Sequence, residues 1–176
     1  MKLLIIGHAR SGKDTCAEIL SKEIGMTFKS SSMAAAKIFI FDKLKEKYGY
    51  TTFEECFEDR MNRRKEWHDL IVEYNKWDKA RLAKEILSDS DCYVGMRSGE
   101  EIKECVKQRL FDLIIWVDAS ERVPPEGADS FQIDKSYADI IIDNNGTSEE
   151  FYWRVNKLAT LLLPHFSYKA FENSVQ

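Results

Sequence analysis

The segment Gly7-His8-Ala9-Arg10-Ser11-Gly12-Lys13-Asp14-Thr15 constrains this chain more than any other. It has the spacing G-x-x-x-x-G-K. It follows four consecutive apolar residues, Leu3 to Ile6, and leads into a helical pattern over residues 14–24. An apolar run of that length ending at glycine reads as a central parallel strand covered on both faces. Between strand and helix, the glycines let successive backbone N–H groups turn inward where side chains would obstruct them. The helix that follows points its positive end at the same place. Lys13 adds a mobile cation. Such a turn cradles phosphate groups, and its context, strand before and helix after, is what separates it from an ordinary glycine-rich turn with a surface lysine. Asp14 occupies the slot where Ser or Thr usually holds magnesium, and Thr15 comes one residue late.

The rest of the chain alternates strands and helices. Ala17, Leu20 and Ile24 share one helical face, with Gly25 as the stop. A short extended piece at 27–29 runs into Ser30, Ser31 and Ser32, which can cap a helix over 33–48 closed by Gly49. The middle reads as helical: a short helix to 57 capped by Thr51 or Thr52, another over 62–74, and a third over 78–87. Strands follow at 92–95, 112–117 and 138–142, with a charged helix over 99–108. Residues 119–131, holding Pro124, Pro125 and Gly127, read as a loop able to move. A last helix opens at Thr147 or Ser148 and ends before Pro164. The tail beyond either packs as an extra helix or frays. This pattern predicts an α/β fold: a three-layer P-loop NTPase arrangement, with a mostly parallel sheet flanked by helices.

The 176 residues suit one domain spanning 1–176, with 33–88 as a helical region and 119–131 as a lid-like loop. Apolar residues make up 44% and charged residues 32%, as in soluble globular proteins, which excludes the disordered and fibrous classes. A net charge of −4 does not draw in nucleic acid by itself. Cys16, Cys56, Cys92 and Cys105 form no C-x-x-C pair and read as reduced, buried thiols. No stretch approaches the roughly 20 apolar residues of a membrane helix, and the N-terminal run is too short for a signal peptide. The expected location is the cytoplasm, the host's if the gene is viral.

Read together, these segments resemble the deoxynucleoside monophosphate kinases of large tailed phages and, more loosely, the nucleoside monophosphate and dephospho-CoA kinases. Arg10-Ser11-Gly12-Lys13-Asp14-Thr15 is the most specific piece, and that family also places Asp after the loop lysine. Tyr93-Val94-Gly95-Met96-Arg97-Ser98-Gly99-Glu100-Glu101 looks like its strand-end segment. Ala138-Asp139-Ile140-Ile141-Ile142-Asp143-Asn144-Asn145-Gly146 looks like the strand and turn where such kinases seat adenine. The resemblance is good over 1–25 and 90–160 and thin between. It implies ATP as donor, held by Gly7, Ala9, Arg10, Ser11, Gly12, Lys13, Asp14, Thr15, Arg122, Asn145 and Gly146. It also implies Mg2+ on Asp14 and Thr15, and Lys13 and Arg97 as the catalytic cations. One departure stands out: the family usually carries Asp where this chain has Gly95. An acid there would help hold magnesium or orient the acceptor. Asp14 and Asp118 are the partial substitutes.

Phosphoryl transfer is mainly positioning and charge stabilisation, so such an enzyme needs arginines beside the loop lysine. Arg60, Arg63, Arg64 and Lys65 form the densest basic patch, and an arginine fork suits a phosphate. Arg63 and Arg64 resemble an arginine pair that opens the corresponding family helix. The competing reading is a solvated helix face paired with Glu54, Glu55, Glu58 and Glu66. Arg97 ends a strand, where α/β proteins place ligands. Arg122 is either a lid residue closing over ATP or a solvent-exposed loop arginine. Asp69 and Glu66 can orient an acceptor proton or simply sit on a helix surface. Trp67, Tyr74 and Trp77 can stack on a base, although that spacing more often means core. Ser32 and Lys37 lie where the family's acceptor cleft begins, with helix capping the other reading of the serine run.

Three functions fit. The first is a kinase for a nucleotide acceptor, a (deoxy)nucleoside monophosphate before others. The second is a phage kinase acting on a hydroxymethylpyrimidine in DNA. The third is a nucleotide-binding module that transfers nothing, favoured by Gly95. The expected partners are ATP and a nucleotide acceptor, with DNA and a homodimer left open and no membrane.

Overall fold

The computed structural model describes residues 1–127 and 131–172. Five parallel strands form one sheet: β1 (Leu3–Ile6), β2 (Phe28–Ser30), β3 (Cys92–Val94), β4 (Leu113–Asp118) and β5 (Ile140–Asp143). Their spatial order is β2-β3-β1-β4-β5. β1 is central, with Leu3 beside Cys92 of β3 on one side and Leu113 of β4 on the other.

The apolar strands are explained by two cores, one on each face. Leu4, Ile6, Tyr93, Ile114 and Trp116 enter one core, while Leu3, Ile5, Cys92, Val94, Ile115, Val117 and Ile142 enter the other. Alternate side chains point to opposite faces, so a strand buried on both sides must be apolar throughout. All four residues of β1 are fully buried.

The second core is closed by α1 (Lys13–Ile24) and α8 (Ser148–Glu172). α1 stops at Gly25, whose left-handed backbone (φ 69°) suits glycine and whose N–H donates to the Ser21 carbonyl. The first core lies under α2 (Ser31–Ala35), α3 (Phe41–Tyr48), α4 (Phe53–Asp59), α5 (Arg64–Tyr74), α6 (Arg81–Asp89) and α7 (Gly99–Lys107). Thr52 caps α4 in a reciprocal capping box with Glu55. Ser98 caps α7.

Several expectations need correction. The helix expected over 33–48 starts at Ser31, capped by Ser30, and contains a π-helical turn at Ala36–Ile40 between α2 and α3. The helix expected from residue 62 begins at Arg64, because Asp59, Arg60, Asn62 and Arg63 close turns of their own. The last helix does not end before Pro164 but continues to Glu172. Phe151, Val155, Leu158, Leu162 and Phe166 form one buried stripe across the proline. Burying Phe166 outweighs the single backbone hydrogen bond that proline removes. Trp67 and Tyr74 belong to the core region, Tyr74 stacked on Phe39 at 4.1 Å, whereas Trp77 is 88% exposed. All four cysteines are buried and free. Among the described residues, no helix is long and apolar enough to cross a membrane.

Candidate active site

The loops after β1, β3, β4 and β5 converge at the carboxyl ends of the strands. This is the usual ligand position in an open α/β sheet, where the strand order reverses about β1. Gly7 to Gly12 form the floor. Gly7 (φ 146°) and Gly12 (φ 97°) hold conformations that disfavour side chains, and Arg10 (φ 61°) is also left-handed. A Cβ on Gly7 would lie 2.6 Å from the Val117 carbonyl oxygen, and one on Gly12 would lie 2.5 Å from Asn144 Nδ2. Both glycines are required by close approach as well as by φ.

Lys13 opens α1 and is only 9% exposed. Burial brings its ammonium down to about pKa 8, the nearby Arg97 pushing the same way, while Asp14 and Glu126 oppose the shift. Its Nζ donates to the His8 carbonyl at 2.6 Å. Ser11 is buried, and its Oγ has no hydrogen-bond partner among the described residues. Asp14 and Thr15 are exposed in the first turn of α1.

Arg97 reaches the loop indirectly. Its Nη1 donates to Glu126 Oε1 at 2.6 Å, and the other carboxylate oxygen, Oε2, accepts from the Ala9 N–H at 2.6 Å. The Glu126 N–H donates to His8 Nδ1 at 3.2 Å. His8 packs against Trp116 and Phe131, and its pKa is lowered, chiefly by burial. Gly95, where the resemblance implies an acid, has φ 95°, and its carbonyl accepts from Ser31 Oγ at 3.2 Å. Asp118 ends β4 and accepts from the Ser120 N–H at 3.0 Å.

The turn after β5 forms the far wall. Asn144 Nδ2 donates to the Ser11 carbonyl at 2.8 Å, and Arg122 Nε donates to the Asn144 carbonyl at 2.6 Å. Asn145 Oδ1 accepts from the Glu121 N–H, and Gly146 is exposed beside it. Of the expected lid, residues 128–130 lie outside the described residues.

The expected acceptor residues are more dispersed. Ser32 lies in α2, and Lys37, in the π-helical turn, stands over the Phe53 ring. Arg60 donates to the Phe57 carbonyl and stacks on that ring. Arg63 pairs with Asp59 and stacks on Tyr48, and Arg64 is exposed, donating to Met61 Sδ. The acids paired with this cluster are therefore not those expected: Asp59 takes Arg63, while Glu66 is held by Lys47 and Tyr48. Lys65, and then His68, hold the Asp69 carboxyl below the usual carboxylate range. Arg63, Glu66 and Asp69 line a surface cavity of about 510 Å³ with Lys47 and Tyr48. None of the glycine-loop residues lines it. The large cavity and the charged loop are separate places, and chemistry singles out the loop.

Glu126, His8 and Asn144 were not singled out from sequence. Asn144 stands beside the flagged Asn145-Gly146 turn, and His8 lies inside the glycine motif. Nothing local to Pro-Pro-Glu-Gly indicates that Glu126 reaches Ala9.

No family model matches the sequence, and no curated protein matches it. In structure, the chain is similar to a shikimate kinase from Bacteroides thetaiotaomicron, with a TM-score of 0.51, 12% identity, and 92% of this chain and 98% of that chain covered. The fold is that of the P-loop NTPases. Shikimate kinase from Aquifex aeolicus vf5 (TM-score 0.45, 15% identity, 94% and 98% covered) is similar over the same span. So is a sugar kinase from Janibacter sp. (TM-score 0.46, 12% identity, 93% and 96% covered). The fold assignment rests on the Bacteroides structure. In this fold, Gly7 to Gly12 form the turn between β1 and α1.

Proposed function

We propose that the chain is an ATP-dependent phosphotransferase whose acceptor is a nucleotide, most simply a (deoxy)nucleoside monophosphate. One observation carries this reading: the Ala9 N–H of the glycine loop and the Arg97 guanidinium meet on the two oxygens of a single carboxylate, at 2.6 Å each. Two donors from different strand ends thus converge on a space the size of one anionic group. Lys13 lies close enough for Arg97 and Glu126 both to act on its pKa.

Charge migrates from donor to acceptor during phosphoryl transfer, and groups fixed along that path do the catalytic work. In this reading, the loop N–H groups and Lys13 hold the β- and γ-phosphates, and Arg97 meets the transferring group. An arriving phosphate would raise the Lys13 pKa again, since a nearby anion favours the protonated ammonium. Asn145, Gly146 and Arg122 border the donor's far side, and 119–131 serve as the lid. Ser32, Lys37 and the helices within 33–88 face the acceptor.

Magnesium fits the residues present. Asp14 and Thr15 are exposed in the first turn of α1, and among the described residues no group of three or more His, Cys, Asp or Glu gathers for a metal. A Mg2+ ion shared between one or two side chains, phosphate oxygens and water needs no such cage. Its contribution would be to neutralise charge on the phosphates.

Labelled ATP incubated with a panel of (deoxy)nucleoside monophosphates tests the proposal, and label should move to at least one of them. Transfer only to hydroxymethyluracil-containing DNA would assign the chain to modification of the polymer. ATP binding with no transfer to any acceptor would make it a nucleotide-binding module.

A further inference from the structure

Three of the groups assigned to phosphate are already engaged in the free protein. The Ala9 N–H and Arg97 are both taken by Glu126, and Lys13 Nζ is turned onto the His8 carbonyl. Glu126 follows Pro124-Pro125, and its backbone N–H is fastened to His8 Nδ1 at 3.2 Å. His8 is in turn wedged against Trp116 and Phe131. The Glu126 side chain is only 12% exposed, although it lies in a connecting loop.

A structural ion pair would need Arg97 alone. Here the carboxylate also accepts from the backbone of the glycine loop, the group that an incoming phosphate oxygen would use. We propose that Glu126 is a built-in competitor of ATP. Its carboxylate occupies the anion seat between Ala9 and Arg97 in the free protein and leaves when phosphate enters. This rests on the reading of the loop as a phosphate site. The consequence is quantitative: a binding-competent state that is only fractionally populated weakens apparent affinity by that fraction. A polyphosphate carries more charge and more acceptor oxygens than one carboxylate, so it displaces Glu126 once its concentration is sufficient. The same contact fastens the 119–127 segment onto the loop when no nucleotide is present.

Calorimetric titration of the whole chain with ATP, and separately with inorganic tripolyphosphate, tests this. Glu126→Ala should bind both about tenfold more tightly than the unaltered protein. Glu126→Gln keeps the length of the side chain and an oxygen for the Ala9 N–H but loses the charge facing Arg97, so it should gain less. Circular dichroism shows whether each variant is folded, and the glutamine variant carries the test should the alanine variant not be. Binding by the unaltered protein with equal or weaker affinity in the folded variants overturns the competitor role and leaves the phosphate site standing. An absence of polyphosphate binding in every protein overturns both.

Discussion

The side-chain amide of Asn144 donates to the carbonyl oxygen of Ser11 at 2.8 Å, joining the turn after β5 to the glycine loop across 133 positions of sequence. The same amide nitrogen lies 2.5 Å from where a Cβ on Gly12 would stand. One contact therefore both braces the loop and forbids a side chain at its last glycine. Gly12→Ala should destabilise the fold by about 1–3 kcal/mol, through the φ of 97° and this clash. Asn144→Ala should cost about 1–2 kcal/mol by leaving the buried Ser11 carbonyl unpaired. The double variant should lose less than the sum, because removing the amide vacates the clashing position. Urea denaturation of the three variants measures this, and strict additivity would count against it.

Lys13 is a buried cation with its pKa brought down to about 8. Its folded value lies below the ordinary lysine value of 10.5, so between those limits the unfolded chain binds more protons and stability rises with pH. Below pH 8 the burial cost is present in full. Lys13→Met removes that cost, so it should stabilise the fold at pH 7 by about 1–3 kcal/mol. The difference should shrink as pH rises from 8 to 10.5. In the same variant, phosphate transfer from labelled ATP should fall at least a thousandfold. Denaturant melts across pH, alongside the transfer assay, separate the two effects.

Arg97 and Arg64 should behave differently in steady-state kinetics. Arg97→Met should lower kcat about a hundredfold to a thousandfold, as expected for a cation acting on charge in the transition state. Arg64→Ala should raise the acceptor's KM about tenfold with little change in ATP affinity. A mutation of Arg64 without effect on any acceptor's KM would remove the basic cluster from the acceptor site. Arg63 and Lys65 of that cluster line the 510 Å³ cavity, whose wall includes no glycine-loop residue.

Pro164 stands exposed inside α8, where it supplies no backbone N–H to the preceding turn. Pro164→Ala should therefore stabilise the protein by about 1–3 kcal/mol without altering the buried Phe151-to-Phe166 stripe. Thermal melting followed by circular dichroism would show a raised midpoint. A lowered one would mean that the proline shapes the helix for packing against α1.

The features readable in advance were those carried by neighbours in sequence. Leu3 to Ile6 announce a doubly covered strand, and Gly7 to Lys13 a turn into a helix, because both patterns are set within a few residues. Gly25 and Gly49 mark helix ends for the same local reason. Pro164 misled because a local cost was outweighed by burial of Phe166 in a core assembled from residues far away in sequence. The basic cluster was visible as charge. Its pairing with Asp59, and not with the neighbouring glutamates, depends on side-chain geometry in the turn before α5.

By itself, the sequence determined that the chain folds as a parallel α/β sheet with a glycine-rich turn into a helix after its first strand. Periodicity and glycine placement are local, and local rules decide them. Only the tertiary structure decided that Asn144 braces Gly12, that Arg97 meets Ala9 across one carboxylate, and that this carboxylate belongs to Glu126. Those contacts join strand ends and loops far apart in sequence, and they exist because the β2-β3-β1-β4-β5 order gathers the carboxyl ends of β1, β3, β4 and β5 at one edge.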